Sequence, residues 1–291
     1  MLNKEQFNVL NSVYLGKAEA LSKNSTYADM VADGYIDSYK LTEKGLSALE
    51  PYRVKRAIFI AAGFGSRMVP ITLTTPKPLV KVNGRRLIDT ILDAVLSAGI
   101  EEIYIVRGYL GEQFDCLLEK YPMIKFIENP KYNEANNISS VVKAKELLEN
   151  AYVCEADLYL YNPELITTYQ YESNYLGFKT AKTDDWCFIQ STDGSIEKVA
   201  IGGENCHQMV GISYWTAEDG RKLKEDATAL FESEGGKSKY WDEVPLTYYK
   251  DNYSIQIREC VKEDIIEIDT FDELVALDTS YKDFKASEKS V

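Results

Sequence analysis

Short apolar runs alternate with amphipathic segments along most of the chain. Residues 56–62 are almost wholly apolar, and residues 86–99 carry apolar side chains at helical spacing and end in glycine. The same alternation continues, and it predicts strands at 102–107, 124–129 and 151–157 and helices at 111–121 and 139–150. Because strands that alternate with helices form βαβ crossovers, we expect an α/β fold with a mixed, mainly parallel sheet, whose ligands bind beyond the strand carboxyl ends.

The chain departs from this alternation in three regions. Four β-rich runs resemble antiparallel strands at the edge of the sheet, at 174–179, 186–190, 196–202 and 209–215. The amino-terminal region contains three short helical patterns, the third preceded by the predicted N-cap Thr42, and it resembles a small winged-helix unit. We therefore expect a winged-helix-like domain at 1–52, a main domain at 53–283 and a polar, linker-like tail at 284–291.

Composition narrows the set of partners. The 46 acidic side chains outnumber the 33 basic ones, and the net charge of −13 argues against nucleic acid or an anionic membrane as a partner. The segment through Arg53 is itself slightly acidic, so we expect it to serve docking or dimerisation rather than DNA binding. No signal-peptide pattern opens the chain and no apolar run reaches about 20 residues, which predicts a cytoplasmic protein.

Histidine and cysteine usage excludes further classes of chemistry. The chain has one histidine, His207, so a mechanism built on several histidines is excluded. The five cysteines are scattered without a C-x-x-C spacing, which indicates reduced thiols rather than disulfides or a zinc site.

The residues after the first predicted strand of the main domain suit a phosphate ligand. Gly63 and Gly65 permit positive φ and close approach of the backbone, so successive N–H groups can face a polyphosphate. Arg67 and Lys77 follow, and both cations can converge on one phosphate chain. The glycines alone fit an ordinary βα turn equally well, and neither the P-loop nor the dinucleotide-binding spacing is present.

The full pattern, G-x-G-S-R at 63–67 followed by T-P-K-P-L at 75–79, resembles the signature of the nucleotidyltransferases that make sugar nucleotides and CDP-alcohols. The resemblance to their small cytidylyltransferase branch continues over nearly all of residues 54–280. It implies a Rossmann-like nucleotidyltransferase fold in which Arg67 and Lys77 neutralise the phosphates of CTP. It also implies that the nucleotide is bound by Ala62, Gly63, Phe64, Gly65, Ser66, Gly108, Tyr109, Asn136, Asn137 and Ser139.

Two asparagines are candidates for reading the base. Asn136 and Asn137 each offer a donor and an acceptor, as recognition of cytosine requires. The alternative is that they form an N-cap cluster for the helix predicted after them.

Two acid pairs suit a divalent cation. Glu155 and Asp157 end a predicted strand on one face, and Glu267 and Asp269 repeat the arrangement much later. Carboxylate, phosphate and water oxygens are the ligands that Mg²⁺ takes. The resemblance implies a metal bound by Asp157 together with Glu267, Asp269 or both. A helix N-cap is the alternative role for Asp269.

Two tryptophans lie beside carboxylates, which describes a pocket for a small organic cation. Trp186 follows Asp184 and Asp185, and Trp241 precedes Asp242. Both tryptophans match the phosphocholine cytidylyltransferases, whose tryptophans enclose choline. The surrounding sequence is more similar to the phosphonate-specific cytidylyltransferases that activate 2-aminoethylphosphonate, some of which continue into an aminotransferase domain.

We therefore predict a Mg²⁺-dependent enzyme that transfers CMP from CTP to 2-aminoethylphosphonate, with pyrophosphate as the leaving group. The acceptor oxygen is already ionised, so no general base is needed, and Arg67, Lys77 and Lys179 are the candidate catalytic cations. Phosphocholine or phosphoethanolamine is the alternative acceptor. A glycosyltransferase of related architecture and a DNA-binding regulator are the remaining alternatives. The candidate macromolecular partners are a fused or associated aminotransferase and a second copy of the chain.

Overall fold

The computed structural model describes residues 1–21, 23–282 and 284, which divide into two compact units. The first unit comprises Met1–Val54 and Thr168–Tyr171, and the second comprises Lys55–Thr167 and the described residues from Glu172 onward. The boundary proposed after residue 52 lies two residues before this division. The proposed linker-like tail at 284–291 falls, apart from residue 284, outside the described residues.

The described residues form seven α-helices and thirteen strands, joined in places by short 3₁₀ turns. The helices are α1 (Lys4–Tyr14), α2 (Ser25–Ala32), α3 (Glu43–Leu49), α4 (Leu87–Ser97), α5 (Ile138–Lys143), α6 (Ala217–Glu232) and α7 (Phe271–Leu277). The strands are β1 (Ile36–Asp37), β2 (Lys40–Leu41), β3 (Arg56–Ala61), β4 (Lys81–Val82), β5 (Arg85–Arg86), β6 (Glu102–Arg107), β7 (Lys125–Glu128), β8 (Ala151–Glu155), β9 (Leu158–Leu160), β10 (Asn174–Gln190), β11 (Ile196–Trp215), β12 (Gln256–Cys260) and β13 (Ile265–Glu267). None of these helices is long and apolar enough to cross a bilayer.

The first unit is a small helical body with its own core. Its helices α1, α2 and α3 pack around Phe7, Leu10 and Met30, and the β1–β2 hairpin lies between α2 and α3. Thr42 caps α3 as predicted, because its side chain accepts a hydrogen bond from the backbone N–H of Gly45. This order of elements does not by itself establish a winged helix, which stays a prediction.

The second unit is built on a seven-stranded mixed sheet in the order β12-β10-β11-β8-β3-β6-β7. Strands β8, β3, β6 and β7 are parallel to their neighbours in that series, as the alternation of strands and helices predicts. Strand β3 is buried on both faces, with Ala57, Ile58 and Phe59 fully inaccessible to solvent, so a near-continuous apolar run specifies a central strand.

The antiparallel strands differ from the prediction in number and place. Four predicted runs merge into two long strands, β10 and β11, because their pairing continues through β-bulges, including one between Thr183 and Trp186. Strand β11 lies inside the sheet between β10 and β8, so the expectation of antiparallel strands at the edge is wrong. The edge strand on this side of the sheet is β12, whose polar residues leave no clear alternation for a sequence pattern to detect.

Two predicted helices are shorter than the sequence indicates. Residues 111–117 form a 3₁₀ helix, and its buried residues Phe114 and Leu117 are three positions apart, which matches the 3₁₀ repeat. Helix α5 ends at Lys143 and a 3₁₀ turn follows at 145–147.

Two pairings place the chemically reactive residues together. The carboxyl ends of the parallel strands β3, β6 and β8 lie along one edge of the sheet, which aligns the loops that begin at residues 62, 108 and 156. Beyond that edge, the short strands β9 and β13 pair antiparallel, with Leu158 opposite Glu267. This pairing brings the two acid pairs of the sequence to one place.

Candidate active site

Both cations of the glycine-loop signature bind carboxylates from the acid pairs. Lys77 Nζ lies 2.7 Å from Asp157 Oδ2 and 2.8 Å from Asp269 Oδ1, and Arg67 Nη2 lies 2.7 Å from the same Asp269 oxygen. Lys77 is only 8% exposed, and burial alone would lower its pKa, but the charges of Asp157 and Asp269 more than offset burial and raise it. Lys77 is therefore a permanent positive charge at this site.

The glycine loop holds its conformation around the lysine. Gly65 has a φ of 65°, and a Cβ there would lie 3.1 Å from Lys77 Cβ and from Thr72 Cγ2. The Thr72 hydroxyl donates a 2.9 Å hydrogen bond to the Gly65 carbonyl. A glycine is thus required at 65 for its backbone conformation and for its close approach to Lys77. Gly63 differs, because a Cβ there would meet no atom within 4 Å.

A cluster of three carboxylates lies next to the cations. One oxygen from each of Glu155, Asp157 and Glu267 lies within 4.8 Å of the other two. Desolvation and then the mutual repulsion of these acids raise the pKa values of Glu155 and Glu267 well above their ordinary values. The buried Asp157 Oδ1 has no hydrogen-bond partner among the described residues. Clustered carboxylates with an unpartnered oxygen fit a hard divalent cation, which supplies the missing positive charge.

Asp269 lies beside this cluster but is not one of its three members. Its Oδ1 accepts from both Arg67 and Lys77. The N-cap alternative for Asp269 is not what the structure has, since Thr270 caps α7 and Glu273 completes the capping box. Glu155, which the sequence offers as part of an acid pair but the resemblance does not name as a metal ligand, takes the third place in the cluster.

Two cavities adjoin at this centre. The glycine-loop cavity, of about 350 Å³, is lined by Gly63, Phe64, Gly65, Lys77 and Asn136 among others. The aromatic–acid cavity, of about 540 Å³, is lined by Glu155, Asp185, Trp186, Asp242 and Glu267 among others. Both cavities share Ser66, Arg67, Asp157, Tyr240 and Asp269. A ligand in one cavity can therefore reach a ligand in the other at the Arg67, Asp157 and Asp269 side chains.

The aromatic–acid cavity combines two rings with carboxylates. The Trp186 and Tyr240 ring centroids lie 5.9 Å apart in an edge-to-face arrangement at 69°. Asp242 is 5% exposed and accepts a 2.9 Å hydrogen bond from the Tyr175 hydroxyl. Burial raises the pKa of Asp242 to about 7, although the Tyr175 hydrogen bond acts in the opposite direction. The cavity therefore offers both aromatic faces and hydrogen-bond acceptors to a cation.

Two residues predicted to bind the acceptor, Trp241 and Asp184, and the predicted catalytic cation Lys179 lie elsewhere. Trp241 is 2% exposed and packs in the core against Tyr175 and Trp215, so the neighbouring Tyr240 supplies the second ring. Asp184 lies in the exposed bulge of β10 and does not line either cavity. Lys179 projects into solvent with 69% of its side chain exposed and pairs with Glu259, so it is not placed to neutralise an acceptor.

The predicted nucleotide residues divide into lining residues and structural ones. Gly63, Phe64, Gly65, Ser66 and Asn136 line the glycine-loop cavity. The remaining predicted residues serve packing or internal hydrogen bonds and are Ala62, Gly108, Tyr109, Asn137 and Ser139.

The structural residues act through packing and hydrogen bonds within the protein. A Cβ at Gly108 would lie 2.7 Å from Tyr132 Cβ, so this glycine is required for packing. The Tyr109 ring lies 4.1 Å from that of Phe64, and its hydroxyl donates to the Thr72 carbonyl. Asn137 stands at the N-cap position of α5 but makes no side-chain capping bond there.

Comparison with known proteins agrees with this geometry. The MobA-like NTP transferase domain matches residues 57–207. The 2-aminoethylphosphonate cytidylyltransferase of Lancefieldella rimae is 38% identical over 77% of this chain and 92% of its own length. The choline-phosphate cytidylyltransferase of Streptococcus pneumoniae is 31% identical over 74% of this chain and 93% of its own. The solved structure of the CTP:phosphocholine cytidylyltransferase from Streptococcus pneumoniae superposes with a TM-score of 0.71 at 31% identity, over 78% of this chain and 99% of that one.

Proposed function

Because this chain belongs to the MobA-like NTP transferase family and is a cytidylyltransferase, we propose that it transfers CMP from CTP to 2-aminoethylphosphonate with release of pyrophosphate. The observation that carries the choice of acceptor is the aromatic–acid cavity. This cavity adjoins the glycine-loop cavity and is lined by one half-buried tryptophan, one tyrosine and several carboxylates, among other residues. The relative from Lancefieldella rimae, named for this acceptor, supports the same choice.

The glycine-loop cavity holds the triphosphate of CTP. Gly63 and Gly65 allow the backbone to approach the phosphates, and Arg67 and Lys77 neutralise their charge. Their hydrogen bonds to Asp157 and Asp269 hold both cations at the point where the two cavities meet. Preorganised cations of this kind stabilise the charge that develops on the leaving group.

The three-carboxylate cluster holds Mg²⁺. Glu155, Asp157 and Glu267 fit a hard divalent ion, and the unpartnered Asp157 oxygen supports this assignment. When bound, Mg²⁺ supplies charge neutralisation and a template for the phosphate oxygens.

The chemistry is an in-line displacement. An ionised phosphonate oxygen of the acceptor forms the new bond to the α-phosphorus of CTP. The bond from that phosphorus to the oxygen that bridges to the β-phosphorus breaks, and pyrophosphate leaves with the bonding electrons. The acceptor oxygen carries no proton, so the site needs no general base, which agrees with a centre of cations and carboxylates without histidine.

The acids of the aromatic–acid cavity favour a primary ammonium over a quaternary one. A quaternary ammonium has no N–H and gains about 0.5 to 2 kcal/mol from a good ring. A primary ammonium donates three hydrogen bonds, and each charge-assisted bond contributes about 1.5 to 3 kcal/mol. Asp185 and Asp242 line the cavity and are placed to accept them.

Phosphocholine is the second candidate acceptor. The edge-to-face pair of Trp186 and Tyr240 presents two rings to one cavity, which also suits a trimethylammonium group. The relative from Streptococcus pneumoniae, named for phosphocholine, favours the same reading.

The deciding experiment measures pyrophosphate release from CTP and Mg²⁺ with 2-aminoethylphosphonate, phosphocholine and phosphoethanolamine as acceptors. We expect the highest kcat/KM with 2-aminoethylphosphonate. A higher value with phosphocholine would transfer the assignment to that acceptor. Turnover with none of the three would overturn the proposed acceptor class.

A further inference from the structure

The segment Lys237–Asp242 carries two of the groups that line the aromatic–acid cavity, Tyr240 and Asp242. It begins after Gly235, which adopts a left-handed conformation, and 46% of the Tyr240 side chain is exposed. The position of this segment depends on the Trp241 ring packed in the core and on the hydrogen bonds that tie its backbone to the rest of the second unit.

Two consecutive asparagines bind this segment from a distant part of the chain. The backbone N–H of Asn136 donates to the Lys237 carbonyl at 2.7 Å, and its side-chain amide donates to the Ser238 carbonyl at 3.3 Å. The Asn137 Oδ1 accepts a 2.8 Å hydrogen bond from the backbone N–H of Trp241. Bonds thus reach the segment at its start and at the residue between Tyr240 and Asp242.

Further hydrogen bonds hold the two asparagines in place. Asn136 Oδ1 accepts from the Asn137 N–H at 2.7 Å, and the Asn136 carbonyl accepts from the Ser139 hydroxyl at 2.8 Å. Asn129 then donates to the Ser139 hydroxyl at 2.9 Å, within the buried interior. This chain of bonds gives the two side chains a fixed direction, toward the segment.

These contacts favour a structural role for Asn137 over a base-reading one. Its Oδ1 is engaged by the Trp241 backbone, and Asn137 does not line the glycine-loop cavity. A buried backbone N–H that lost this acceptor would be left unpaired, which is unfavourable. The Asn137 side chain is therefore needed as the hydrogen-bond acceptor for the Trp241 backbone N–H.

From these contacts we propose that Asn137 is a positioning residue for the acceptor, which holds Tyr240 and Asp242 in the aromatic–acid cavity through the Trp241 backbone. The inference rests on the proposed function only in taking that cavity as the acceptor site. Asn136 binds the same segment at Lys237 and Ser238 and also lines the glycine-loop cavity.

The test compares two replacements of Asn137. Asn137→Asp keeps the oxygen that Trp241 needs and loses the amide donors that reading cytosine would use. Asn137→Leu has a similar size and no acceptor. The readouts are the KM for the acceptor, the KM for CTP, kcat, and the Kd of CTP by calorimetry.

If Asn137 is a positioning residue, its two replacements should have different effects on the acceptor KM. We expect Asn137→Leu to raise the acceptor KM about three- to tenfold, as the loss of one hydrogen bond implies, with the KM and Kd for CTP unchanged. We expect Asn137→Asp to keep all these constants within about twofold of the parent, because the accepted bond remains. Rescue by aspartate is a result that general damage to the fold would not produce.

Other results overturn the proposal. Weaker CTP binding by Asn137→Asp would assign the amide to the base, and an unchanged acceptor KM in Asn137→Leu would show that the bond does not position the segment. Should Asn137→Leu fail to fold, Tyr175→Phe removes the bond to Asp242 from the other side, and the same rise in acceptor KM is expected. Should no aminoalkyl acceptor be turned over, the proposed function fails, while the calorimetric CTP comparison of Asn137→Asp still decides the role of the amide.

Discussion

Gly211 lies directly against the carboxyl group of Glu155: a Cβ on Gly211 would be 2.5 Å from Glu155 Oε2 and 2.8 Å from its Cδ. Glycine at 211 therefore provides the space in which this carboxyl group meets Asp157 and Glu267. Because Gly211 of β11 has no side chain, the carboxyl group of Glu155, at the end of the neighbouring strand β8, can occupy this position.

We expect Gly211→Ala to displace the Glu155 carboxyl group and to lower kcat/KM about 10- to 100-fold, since a shift of about 1 Å at a reacting centre has this effect. A steady-state assay together with a Mg²⁺ titration measures the change, and the Mg²⁺ requirement should rise. The control is the Glu155→Ala background, in which the clash is absent. There Gly211→Ala should have little further effect, and a full additional loss would show that Gly211 acts through another contact.

The glycine loop provides a matched pair of substitutions. Gly65→Ala forces a residue with a Cβ into a left-handed conformation and against Lys77 and Thr72, at about 1 to 2 kcal/mol. We expect the midpoint of thermal unfolding to fall by about 3 to 6 °C and the KM for CTP to rise. Gly63→Ala meets no protein atom within 4 Å and should unfold at the parent temperature. A higher KM for CTP in Gly63→Ala, without loss of stability, would indicate close approach of the phosphates to this backbone.

How far the sequence predicts this site depends on whether its parts are local. The signature from Gly63 to Lys77 is contiguous, so its residues and their phosphate chemistry can be recognised directly. The meeting of Asp157 with Glu267 follows from the pairing of two three-residue strands, β9 and β13, which carry no pattern of their own. The Glu155–Asp157 pair is visible in the sequence, but the space that Gly211 leaves for the Glu155 carboxyl group comes from a distant part of the chain and has no local signal.

The aromatic residues show the same limit. Trp241 attracts attention as a tryptophan beside an acid, yet it packs in the core against Tyr175 and Trp215. Tyr240 lines the cavity instead, and only the turn of the backbone between the two decides which ring is outside. The bonds of Asn136 and Asn137 to residues 237–241 are likewise long-range, so an amide pair in the sequence suggests base recognition but gives no sign that both residues bind a distant loop.

Lys77 lies in the candidate active site and Lys179 lies on the surface, so their replacement should affect activity differently. Lys77→Ala removes the cation shared by Asp157 and Asp269, and we expect kcat/KM to fall at least about 100-fold, the effect of losing one preorganised charge-stabilising group. Lys179→Ala removes an exposed lysine that pairs with Glu259 and should keep kcat/KM within about twofold. Both are measured by pyrophosphate release. A large loss in Lys179→Ala would return that residue to the acceptor site and contradict its placement.

The two tryptophans should respond in opposite ways to removal. Trp241→Ala deletes a buried ring from the core, and we expect it to lower the free energy of unfolding by about 3 to 5 kcal/mol, measured by denaturant titration. Trp186→Ala removes a half-buried ring that lines the cavity and should leave stability near the parent value. Its effect should appear in acceptor binding.

For Trp186→Ala, we expect the KM for phosphocholine to rise about 3- to 30-fold, because a quaternary ammonium depends on aromatic faces. The KM for 2-aminoethylphosphonate should rise less, since its ammonium retains the carboxylates of Asp185 and Asp242 as hydrogen-bond acceptors. Asp185→Asn is the converse variant and should weaken 2-aminoethylphosphonate more than phosphocholine. Equal effects of both variants on both acceptors would mean that this cavity binds them through their shared phosphorus oxygens and that its rings and acids do not distinguish their ammonium groups.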